Sequence, residues 1–476
     1  MRSYDEVPVL IVGAGPAGTA AAIALARNGI RPLVVERRPR PGALSRATAI
    51  FIRSMELLRS WGVERAVREG APEIEWLGLT CETLAAAGGG ETIPLGVPTR
   101  EQAAAVSPTS AACVSQDHLE RVLHEHMLTA GAVRIERGVE ATAVDARPDG
   151  AHVTLRDGDG TERTVHARYL LAADGANGSL RRLLGIGAHG RENFANRIAV
   201  QFRAPLWDAL GDRRYVLYPI TRQGSEGTFL PAGRDDRWVY GYDWEPARER
   251  LADHAGERLV ARIRAAAGMP SLPVRIEHAG PVTFGTLVAE RFRRESAFLA
   301  GDAAHRMTPR GGAGMNTALQ SGHDIGWKLA WVLRGWARPA LLDSYEAERR
   351  PIAEHNVARS LADDVTTPPG TELHADLGGR IRHVWTGAGT ERASTLDLLG
   401  PGLTVFTGPD ANGWQETVAD GCHGGAPIAV RRLDRIAAAA LGVRGAAGLL
   451  TRPDGAPLAL WPRPPASVAA LAGALV

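Results

Sequence analysis

The sequence predicts an α/β protein in three parts: a domain built on parallel strands, an antiparallel sheet inserted into that domain, and a smaller C-terminal α/β domain. Each of two glycine-rich turns follows an apolar strand and precedes a helical pattern, as is typical of parallel α/β units. Between these turns, short alternating runs of apolar and polar residues indicate antiparallel strands. With 476 residues and 45% apolar content, the chain can form several hydrophobic cores.

The first element is a strand, turn, helix and strand near the N-terminus. Val7–Val12 predicts a buried strand, Gly13–Gly18 opens an Ala-rich helix, and Arg31–Glu36 predicts the second strand. In a G-x-G-x-x-G turn the first glycine permits the bend, the second lets the backbone approach a pyrophosphate, and the third permits close packing of helix on strand. A carboxylate at the end of the second strand can bind ribose hydroxyls. We therefore predict a Rossmann-like site for NAD or FAD, the alternative being a tight turn without a ligand. Its candidate residues are Gly13, Gly15, Ala17, Gly18, Glu36 and the adjacent Arg37, which is alternatively a solvated arginine.

A hairpin and a sheet follow. Ala151–Leu155 and Thr161–Ala167 flank the turn signal at 157–160, and the apolar strand Tyr169–Ala173 comes next. Residues 186–284 are dominated by alternating runs, which predict an antiparallel sheet inserted between the two halves of the nucleotide-binding domain. Its predicted strands include Ile198–Phe202, Tyr215–Ile220, Thr228–Pro231 and Arg237–Trp244.

Aromatic residues recur at every second position of one predicted strand. In Arg237–Trp244 they share one face of the strand, because side chains of a strand alternate between its two faces. Such a face suits a flat aromatic ligand, and packing against a neighbouring layer is the alternative interpretation. The candidate ligand contacts are Tyr218, Phe229, Trp238, Tyr240 and Tyr242.

The second glycine-rich turn distinguishes between the two dinucleotides. Asp302 follows the apolar strand Ala297–Ala300, and Pro309–Asn316 then leads into a helical pattern over Gly314–Arg334. A carboxylate at the strand end can bind the ribityl hydroxyls of a flavin, and the amides at the helix start can face flavin N1 and the C2 carbonyl. Because NAD would need no such second site, the pair of turns predicts FAD.

Charge and cysteine content exclude several classes of protein. The 55 Lys and Arg residues nearly balance the 53 Asp and Glu residues, so nucleic acid is not an expected partner. Cys81, Cys113 and Cys422 have no metal-binding spacing, and we expect neither a disulfide framework nor a metal site. Without a leader pattern or a long apolar run, the sequence predicts a cytoplasmic protein that does not bind membranes.

Two further motifs, together with the two glycine turns and in the same order, resemble a known family. Ser45-Arg46-Ala47-Thr48 precedes the segment Arg53–Arg59, and Asp174-Gly175-Ala176-Asn177-Gly178-Ser179 precedes Arg181. The chain resembles the class A flavoprotein monooxygenases of the para-hydroxybenzoate hydroxylase fold, in particular the aromatic polyketide, phenol and rifampicin hydroxylase branches. This implies an FAD-binding domain at 1–185 and 285–367 and a substrate-binding sheet at 186–284.

The resemblance also implies roles for single residues. Arg46 would lie beside a mobile flavin ring, Gln116 would contact the ribityl or phosphate region, and Ala141 would meet the adenine. Asp174 would serve both FAD and NAD(P)H, and Asp302 would bind the ribityl chain. Arg46 and Pro309 are the expected flavin-positioning residues of the catalytic centre, with no protein nucleophile. The expected ring contacts are Pro309, Gly311, Gly312, Gly314, Met315 and Asn316.

The C-terminal part resembles the thioredoxin-like domain of phenol and polyketide hydroxylases. The resemblance rests on Leu449–Trp461 and implies a domain over 371–476. Since Cys422 is its one cysteine, dithiol chemistry is not expected, and we predict a role in packing or in dimer support. The protein would be a monomer or a homodimer.

The family implies a reaction and leaves alternatives open. Non-covalent FAD, reduced by NADPH or NADH, would react with O₂ to form a C4a-hydroperoxide that hydroxylates a small aromatic substrate. A Baeyer–Villiger oxygenase and a non-redox FAD-binding protein that sequesters an intermediate are the alternatives. A flavin-dependent halogenase would need a lysine between the first glycine turn and the substrate site. The single lysine of this sequence, Lys328, lies in the late helical pattern, so a halogenase is excluded. His305 and His323 are interpreted as structural.

Overall fold

The computed structural model describes residues 5–40, 42, 47–129, 133–362, 376–387, 389, 392–419 and 425–466. The strands of its first half are β1 (Asp5–Val12), β2 (Leu33–Glu36), β3 (Ala49–Ile50), β4 (Glu75–Thr80), β5 (Glu91–Pro94), β6 (Ala112–Cys113), β7 (Arg134–Arg137), β8 (Glu140–Arg147), β9 (Gly150–Arg156), β10 (Glu162–Ala172), β11 (Ala188–His189), β12 (Ala195–Arg203), β13 (Tyr215–Ile220), β14 (Gly227–Pro231) and β15 (Arg237–Asp243). Those of its second half are β16 (Arg275–Phe284), β17 (Leu287–Ala289), β18 (Arg293–Arg294), β19 (Ala297–Leu299), β20 (His305–Arg306), β21 (Trp385–Thr386), β22 (Ala393–Ser394), β23 (Leu403–Thr407), β24 (Ile428–Arg432), β25 (Gly448–Thr451) and β26 (Pro457–Trp461).

The helices connect these strands and cover their faces. They are α1 (Pro16–Arg27), α2 (Ile52–Ser60), α3 (Glu64–Glu69), α4 (Arg100–Ala104), α5 (Gln116–Thr129), α6 (Leu180–Leu183), α7 (Leu206–Leu210), α8 (Gly256–Ala267), α9 (Ala313–Leu333), α10 (Asp343–Leu361), α11 (Trp414–Ala419) and α12 (Arg435–Ala440). None of the helices in the described part of the chain combines the length and the apolar character that crossing a bilayer requires.

An eight-stranded, mixed sheet with a parallel centre forms the middle of the first domain and confirms the predicted Rossmann-like α/β fold. Its strand order is β18-β19-β10-β1-β2-β7, and β1 pairs in parallel with both β2 and β10. The runs Val9–Leu10–Ile11 and Leu33–Val34–Val35 are almost fully buried, as expected for parallel strands covered on both faces.

The two strands predicted at Thr161–Ala167 and Tyr169–Ala173 are one long strand, β10. Its first half pairs antiparallel with β9, from Glu162 opposite Arg156 to Ala167 opposite Ala151. Its second half pairs in parallel with β19. Because β1 runs beside both halves, the backbone continues without a break between them.

The second large sheet has seven strands in the order β16-β12-β15-β14-β13-β4-β5. Five of these strands come from the segment predicted to form the inserted sheet. The other two, β4 and β5, come from residues 75–94, and β4 pairs in parallel with β13. The sheet is therefore not confined to 186–284, because its last two strands precede the insertion in the sequence. Helix α8 covers one face of the sheet through Leu259 and Ile263.

Helices α1 and α9 cross at very short distance. A Cβ at Gly322 would lie 2.0 Å from the carbonyl oxygen of Ala17, and one at Gly326 would lie 2.8 Å from that of Ala21. The two glycines of α9 thus allow the backbones of the two helices to touch. This contact fixes the start of α1 and the start of α9 relative to each other.

The C-terminal domain has a mixed sheet in the order β24-β23-β25-β26. β23 and β24 are parallel and flank α11 in the chain, whereas β25 is antiparallel to both β23 and β26. This strand arrangement is that of a thioredoxin-like core, whereas the domain bounds 371–476 stay a prediction. The domain packs through Trp414 against Trp327 and Trp331 of α9. Cys422 lies outside the described residues.

Candidate functional site

A cavity of about 1140 Å³ lies between the two large sheets. One wall is formed by the residues that follow β1, β2, β10 and β19, where parallel α/β sheets bind ligands. The opposite wall is one face of β12–β16, which we call the sheet wall. Both predicted glycine turns reach the cavity, so the structure joins the two halves of the predicted site.

The glycines of the first turn differ in what surrounds them. Gly13 has φ +108°, and a Cβ there would lie 2.1 Å from the carbonyl oxygen of Ala173. A Cβ at Gly18 would lie 1.9 Å from the carbonyl oxygen of Gly13, so Gly18 packs the helix on the strand and does not line the cavity. A Cβ at Gly15 would meet no atom within 4 Å. Gly15 therefore faces open space, which leaves room for a ligand close to the backbone.

The start of α1 can bind an anion. Its N-cap, Gly15, supplies no side-chain acceptor, so the first N–H groups of the helix point toward the cavity without a side-chain partner. Beside them, the Glu36 carboxylate accepts hydrogen bonds from the Ala14 N–H at 3.0 Å and the Arg38 N–H at 2.9 Å. These bonds fix the carboxylate at the edge of the cavity, where it can accept ribose hydroxyls.

Asp174 presents an unsatisfied acceptor at the same edge. Its Oδ2 accepts the Leu180 N–H at 3.0 Å, whereas its Oδ1 is buried and has no hydrogen-bond partner. Burial raises the pKa of this carboxyl group, and the nearby Arg37 opposes that rise. A buried acceptor without a partner is uncommon in folded proteins and indicates that a ligand donates to it.

The second turn brings another helix start to the cavity. Gly311 and Gly312 have φ values of +73° and +63°, a conformation that favours glycine, and α9 begins directly after them. Gly312, the N-cap of α9, provides no side-chain acceptor either. The dipole of this 21-residue helix therefore favours negative charge at this point of the cavity. The lining of this region includes Asp302, Pro309, Gly311, Gly312, Gly314 and Met315.

Asn316 does not line the cavity, contrary to the prediction. Its side chain is 3% exposed and makes three hydrogen bonds: Oδ1 accepts the Phe51 N–H at 2.8 Å, and Nδ2 donates to the carbonyls of Ala49 and Gly312, each at 3.0 Å. The three hydrogen bonds of the amide group connect the turn to the segment that contains β3. Asn316 is thus a positioning residue for the turn.

Of the remaining predicted cofactor residues, those that the structure describes line the cavity. Arg37, Gln116 and Ala141 line it, and Arg46 lies outside the described residues. Gln116 Nε2 donates to Oε1 of Glu120 at 2.6 Å, and burial raises the pKa of that carboxyl group. Glu120 also lines the cavity and was missed from the sequence, although it lies one helical turn after Gln116. Contact of these residues with a cofactor remains a prediction.

The five aromatic residues predicted to contact a ligand do not line the cavity, and this prediction is wrong. Their side chains are between 0% and 1% exposed and pack with α7 and α8 in the core behind the sheet. The hydroxyl of Tyr240, for example, donates to the carbonyl of Ser225 at 2.7 Å, and burial raises the pKa of Tyr240 to about 12. The packing interpretation is therefore the correct one. The residues concerned are Tyr218, Phe229, Trp238, Tyr240 and Tyr242.

The opposite face of the same strands forms the sheet wall. In β15, Val239 and Gly241 alternate with the core aromatics and line the cavity. A Cβ at Gly241 would meet no atom within 4 Å, so the wall is open at this position. Phe51 and Trp76 complete the apolar lining, with ring centroids 6.4 Å apart. The sequence contained a signal for this wall. Val239 and Gly241 alternate with the aromatic residues of β15, and their small side chains leave space for a ligand.

His305, His323 and the single lysine, Lys328, do not line the cavity. His305 is fully buried beside the Ser321 hydroxyl, and burial lowers its pKa to about 3. Burial also lowers the pKa of His323 to about 3. Lys328 donates to Asp324 at 2.8 Å and to Glu348 at 2.9 Å in a buried ion cluster that Arg452 of the C-terminal domain completes. The two histidines are neutral structural residues near pH 7.

The arrangement fits an extended dinucleotide with an anionic middle and an electron-accepting ring. The start of α1 suits a pyrophosphate, the fixed carboxylate of Glu36 suits a ribose, and the start of α9 suits a ring that gains negative charge on reduction. The unsatisfied Oδ1 of Asp174 can accept a hydrogen bond from a bound molecule. An apolar compartment remains between the start of α9 and the sheet wall, where a second molecule can bind.

Comparisons with known proteins agree with this geometry. Residues 6–360 match the family model described as "FAD binding domain". The chain is 33% identical to a tetracenomycin A2 monooxygenase-dioxygenase of Streptomyces glaucescens, over 95% of this chain and 90% of the relative. It is 32% identical to an aklavinone 12-hydroxylase of Streptomyces peucetius subsp. caesius, over 87% and 94%. It is also similar to the crystal structure of aklavinone-11 hydroxylase in complex with FAD and aklavinone, with a TM-score of 0.86, 29% identity, and coverage of 100% of this chain and 99% of that one.

Proposed function

The chain belongs to the FAD-binding-domain family of flavin-dependent aromatic and polyketide hydroxylases, and we propose that it is an NAD(P)H-dependent monooxygenase that hydroxylates a polycyclic aromatic small molecule. The observation that carries the proposal is the single cavity that joins both helix starts to an apolar compartment. FAD is the cofactor that this cavity serves. The named relatives act on polycyclic aromatic polyketides, which makes a molecule of this class the proposed substrate.

Different residues would hold different parts of FAD. Glu36 would accept the adenosine ribose hydroxyls, the first N–H groups of α1 would bind the pyrophosphate, and Asp302 would bind the ribityl chain. The turn at Pro309–Gly312 and the start of α9 would lie against the ring, with Arg46 as a further predicted contact. Asp174 would accept a donor from FAD or from NAD(P)H through its unsatisfied Oδ1.

Held by these residues, FAD would supply the acceptor for hydride from NAD(P)H and the means to activate O₂, of which one oxygen atom would go to the substrate and the other to water. The protein contributes position and exclusion of water. The apolar side chains of Phe51, Trp76 and Val239 keep the compartment dry, and the amides at the start of α9 stabilise negative charge on the ring. No side chain of the cavity is required as a nucleophile.

The test uses the purified full chain loaded with FAD. We expect a hydroxylated polycyclic quinone to accelerate oxidation of NADPH or NADH, and mass spectrometry to find one oxygen atom from ¹⁸O₂ in the product. Fragmentation of the product distinguishes a ring hydroxyl from a lactone, the product of a Baeyer–Villiger oxygenase. A protein that binds FAD and the quinone tightly but consumes no NAD(P)H would contradict the proposal and favour the non-redox alternative.

A further inference from the structure

The substrate compartment carries positive charge that is not balanced along its surface. The sheet wall contributes Arg197 to the lining, and β20 contributes Arg306. None of the lining residues from β12 to β16 is acidic, and the acidic lining residues in the described part of the chain lie outside the sheet wall. In a partly apolar compartment, a cation that pairs with no anion of the lining, and whose only ion-pair partner lies in solvent, favours a bound anion.

Arg197 has donors available to the compartment. Its Nε lies 2.7 Å from Oδ1 of Asp243, and its guanidinium carbon lies 5.8 Å from the ring centroid of Phe284. The Asp243 side chain is 81% exposed, so water screens this pair and its strength is small. Neither Nη group of Arg197 has a hydrogen-bond partner among the described residues.

Arg306 is held in place without an ion pair. Its Nη2 donates to the carbonyl of Thr283 at 2.9 Å, and it forms no salt bridge with any residue that the structure describes. Gly285 passes close to it: a Cβ there would lie 3.4 Å from the guanidinium carbon. One hydrogen bond to a carbonyl uses one of the five N–H donors of an arginine.

The two arginines lie at the same end of the sheet wall. Thr283, the acceptor for Arg306, pairs across the sheet with Asn196, the residue before Arg197. Thr283 Oγ1 also donates to Oδ1 of Asn196 at 3.2 Å. The register of β12 and β16 thus places both arginines at one end of the sheet wall, and both line the same cavity.

We propose that Arg197 and Arg306 bind an anionic oxygen substituent of the aromatic substrate, a carboxylate or an ionised phenol, and so select acidic aromatics over their neutral derivatives. Arginine binds such groups through paired, charge-assisted hydrogen bonds. A neutral ester or ether would leave the guanidinium groups without an anion inside the compartment, which is the usual origin of strong discrimination. This inference rests on the proposed function, because it assigns the substrate class of the same compartment.

The test measures affinity in the FAD-loaded protein from the change in flavin absorbance. Two matched pairs of probes are used: anthraquinone-2-carboxylate with its methyl ester, and 1,2-dihydroxyanthraquinone with its dimethyl ether. We expect the wild-type protein to bind at least one acid about tenfold or more tightly than its neutral partner. R197M and R306M should each remove most of this preference, and R306K should keep part of it. R258M changes an arginine of α8 that is 71% exposed on the far side of the sheet, and this variant should keep the full preference for the acid.

The possible results separate this inference from the proposed function. Equal affinity for acid and neutral partner in both pairs, no binding of either acid, or an unchanged preference in R197M and R306M would overturn the anion site. If the acids are preferred through the two arginines but no ligand accelerates NAD(P)H oxidation, the anion site stands and the monooxygenase proposal fails. If a neutral probe accelerates NAD(P)H oxidation as well as its acid does, with equal affinity, the anion site fails and the monooxygenase stands.

Discussion

The backbone N–H of Phe51 donates a 2.8 Å hydrogen bond to Oδ1 of Asn316, 265 residues further along the chain. The buried side-chain amide of Asn316 thus makes hydrogen bonds to two residues of the cavity wall, Phe51 and Gly312. Since Gly312 is the N-cap of α9, this amide sets where the start of α9 lies relative to the aromatic wall.

We expect N316A to lower the free energy of unfolding by about 2 kcal/mol or more, because it leaves a buried N–H and two carbonyls without partners. FAD affinity should fall as well, since the turn that faces the ring loses its support. N316D is the matched comparison: it keeps the acceptor for Phe51 but turns a buried carboxylate oxygen toward the carbonyls of Ala49 and Gly312, so a loss at least as large as that of N316A is expected at neutral pH. Urea unfolding and FAD titration measure both effects, and equal stability of N316A and wild type would contradict this role.

Two glycines of the first turn should respond oppositely to alanine. In G15A the new Cβ meets no atom within 4 Å and φ is −76°, so the fold should remain intact while the methyl group occupies the space that we propose for a phosphate. In G18A the Cβ would overlap the carbonyl of Gly13, and the fold itself should be destabilised. Thermal unfolding of the apoprotein and FAD binding separate the two cases. Normal FAD affinity in G15A would place the pyrophosphate elsewhere.

Substitutions at two adjacent residues of β15 should likewise have different effects, one on stability and the other on ligand binding. Y240A removes a fully buried ring that stacks on Phe229 at 4.5 Å, and should lower the free energy of unfolding by about 3 kcal/mol or more. G241V adds an isopropyl group to the open side of the sheet wall, and should weaken binding of an aromatic ligand with little effect on stability. Urea unfolding and ligand titration test the pair. Weaker ligand binding in a folded Y240A, with unchanged binding in G241V, would reverse the assignment of the two faces.

Acid should destabilise the protein partly through His305. Because burial holds the pKa of His305 at about 3 in the folded state, against about 6.5 in the unfolded chain, the neutral ring is favoured by folding. Its contribution is complete above about pH 6.5 and is lost as the pH falls from there toward 3, at about 1.4 kcal/mol per pH unit. H305Q removes the titration and should flatten the dependence of unfolding free energy on pH between about pH 6 and about pH 4. An unchanged slope would show that His305 is not buried as a neutral ring.

The ion cluster at the C-terminal domain should be sensitive to loss of its lysine. K328M leaves the buried carboxylate of Asp324 without its partner, which should cost about 3–5 kcal/mol of unfolding free energy. The double variant K328M/D324L should recover part of this loss, because no unpaired charge remains there. R65M is the surface control, as its partner Glu69 lies 4.0 Å away and its side chain is 94% exposed. Equal stabilities of K328M and R65M would contradict a buried pair.

Local signals allowed much of the fold and of the cofactor region to be predicted. The strand Tyr215–Ile220 has the predicted bounds, and the two glycine turns reach one cavity as expected. These features depend on residues that are close in sequence: turn glycines, the apolar run before them and the helical pattern after them. The roles of the individual cofactor residues, including Arg46, stay predictions.

What the sequence did not reveal depends on distant contacts. The alternation in β15 placed Trp238 and Tyr240 on one face, but the choice of face depends on α8, which packs against them from elsewhere in the chain. The pairing of β4 with β13 joins segments more than a hundred residues apart, and no local pattern encodes it. For Asn316, sequence proximity to the glycine turn suggested a ligand contact, whereas its partners lie near residue 50.

The two-faced character of β15 also bears on how such a protein can change over evolutionary time. Residues that support the core and residues that face the compartment alternate along one strand, so substitutions at 239 and 241 do not disturb the layer of aromatics behind them. New substrates can therefore be sampled by point mutation without eroding the stability that every intermediate sequence needs in order to fold. A lineage built on this sheet can diversify its chemistry while its scaffold is inherited unchanged.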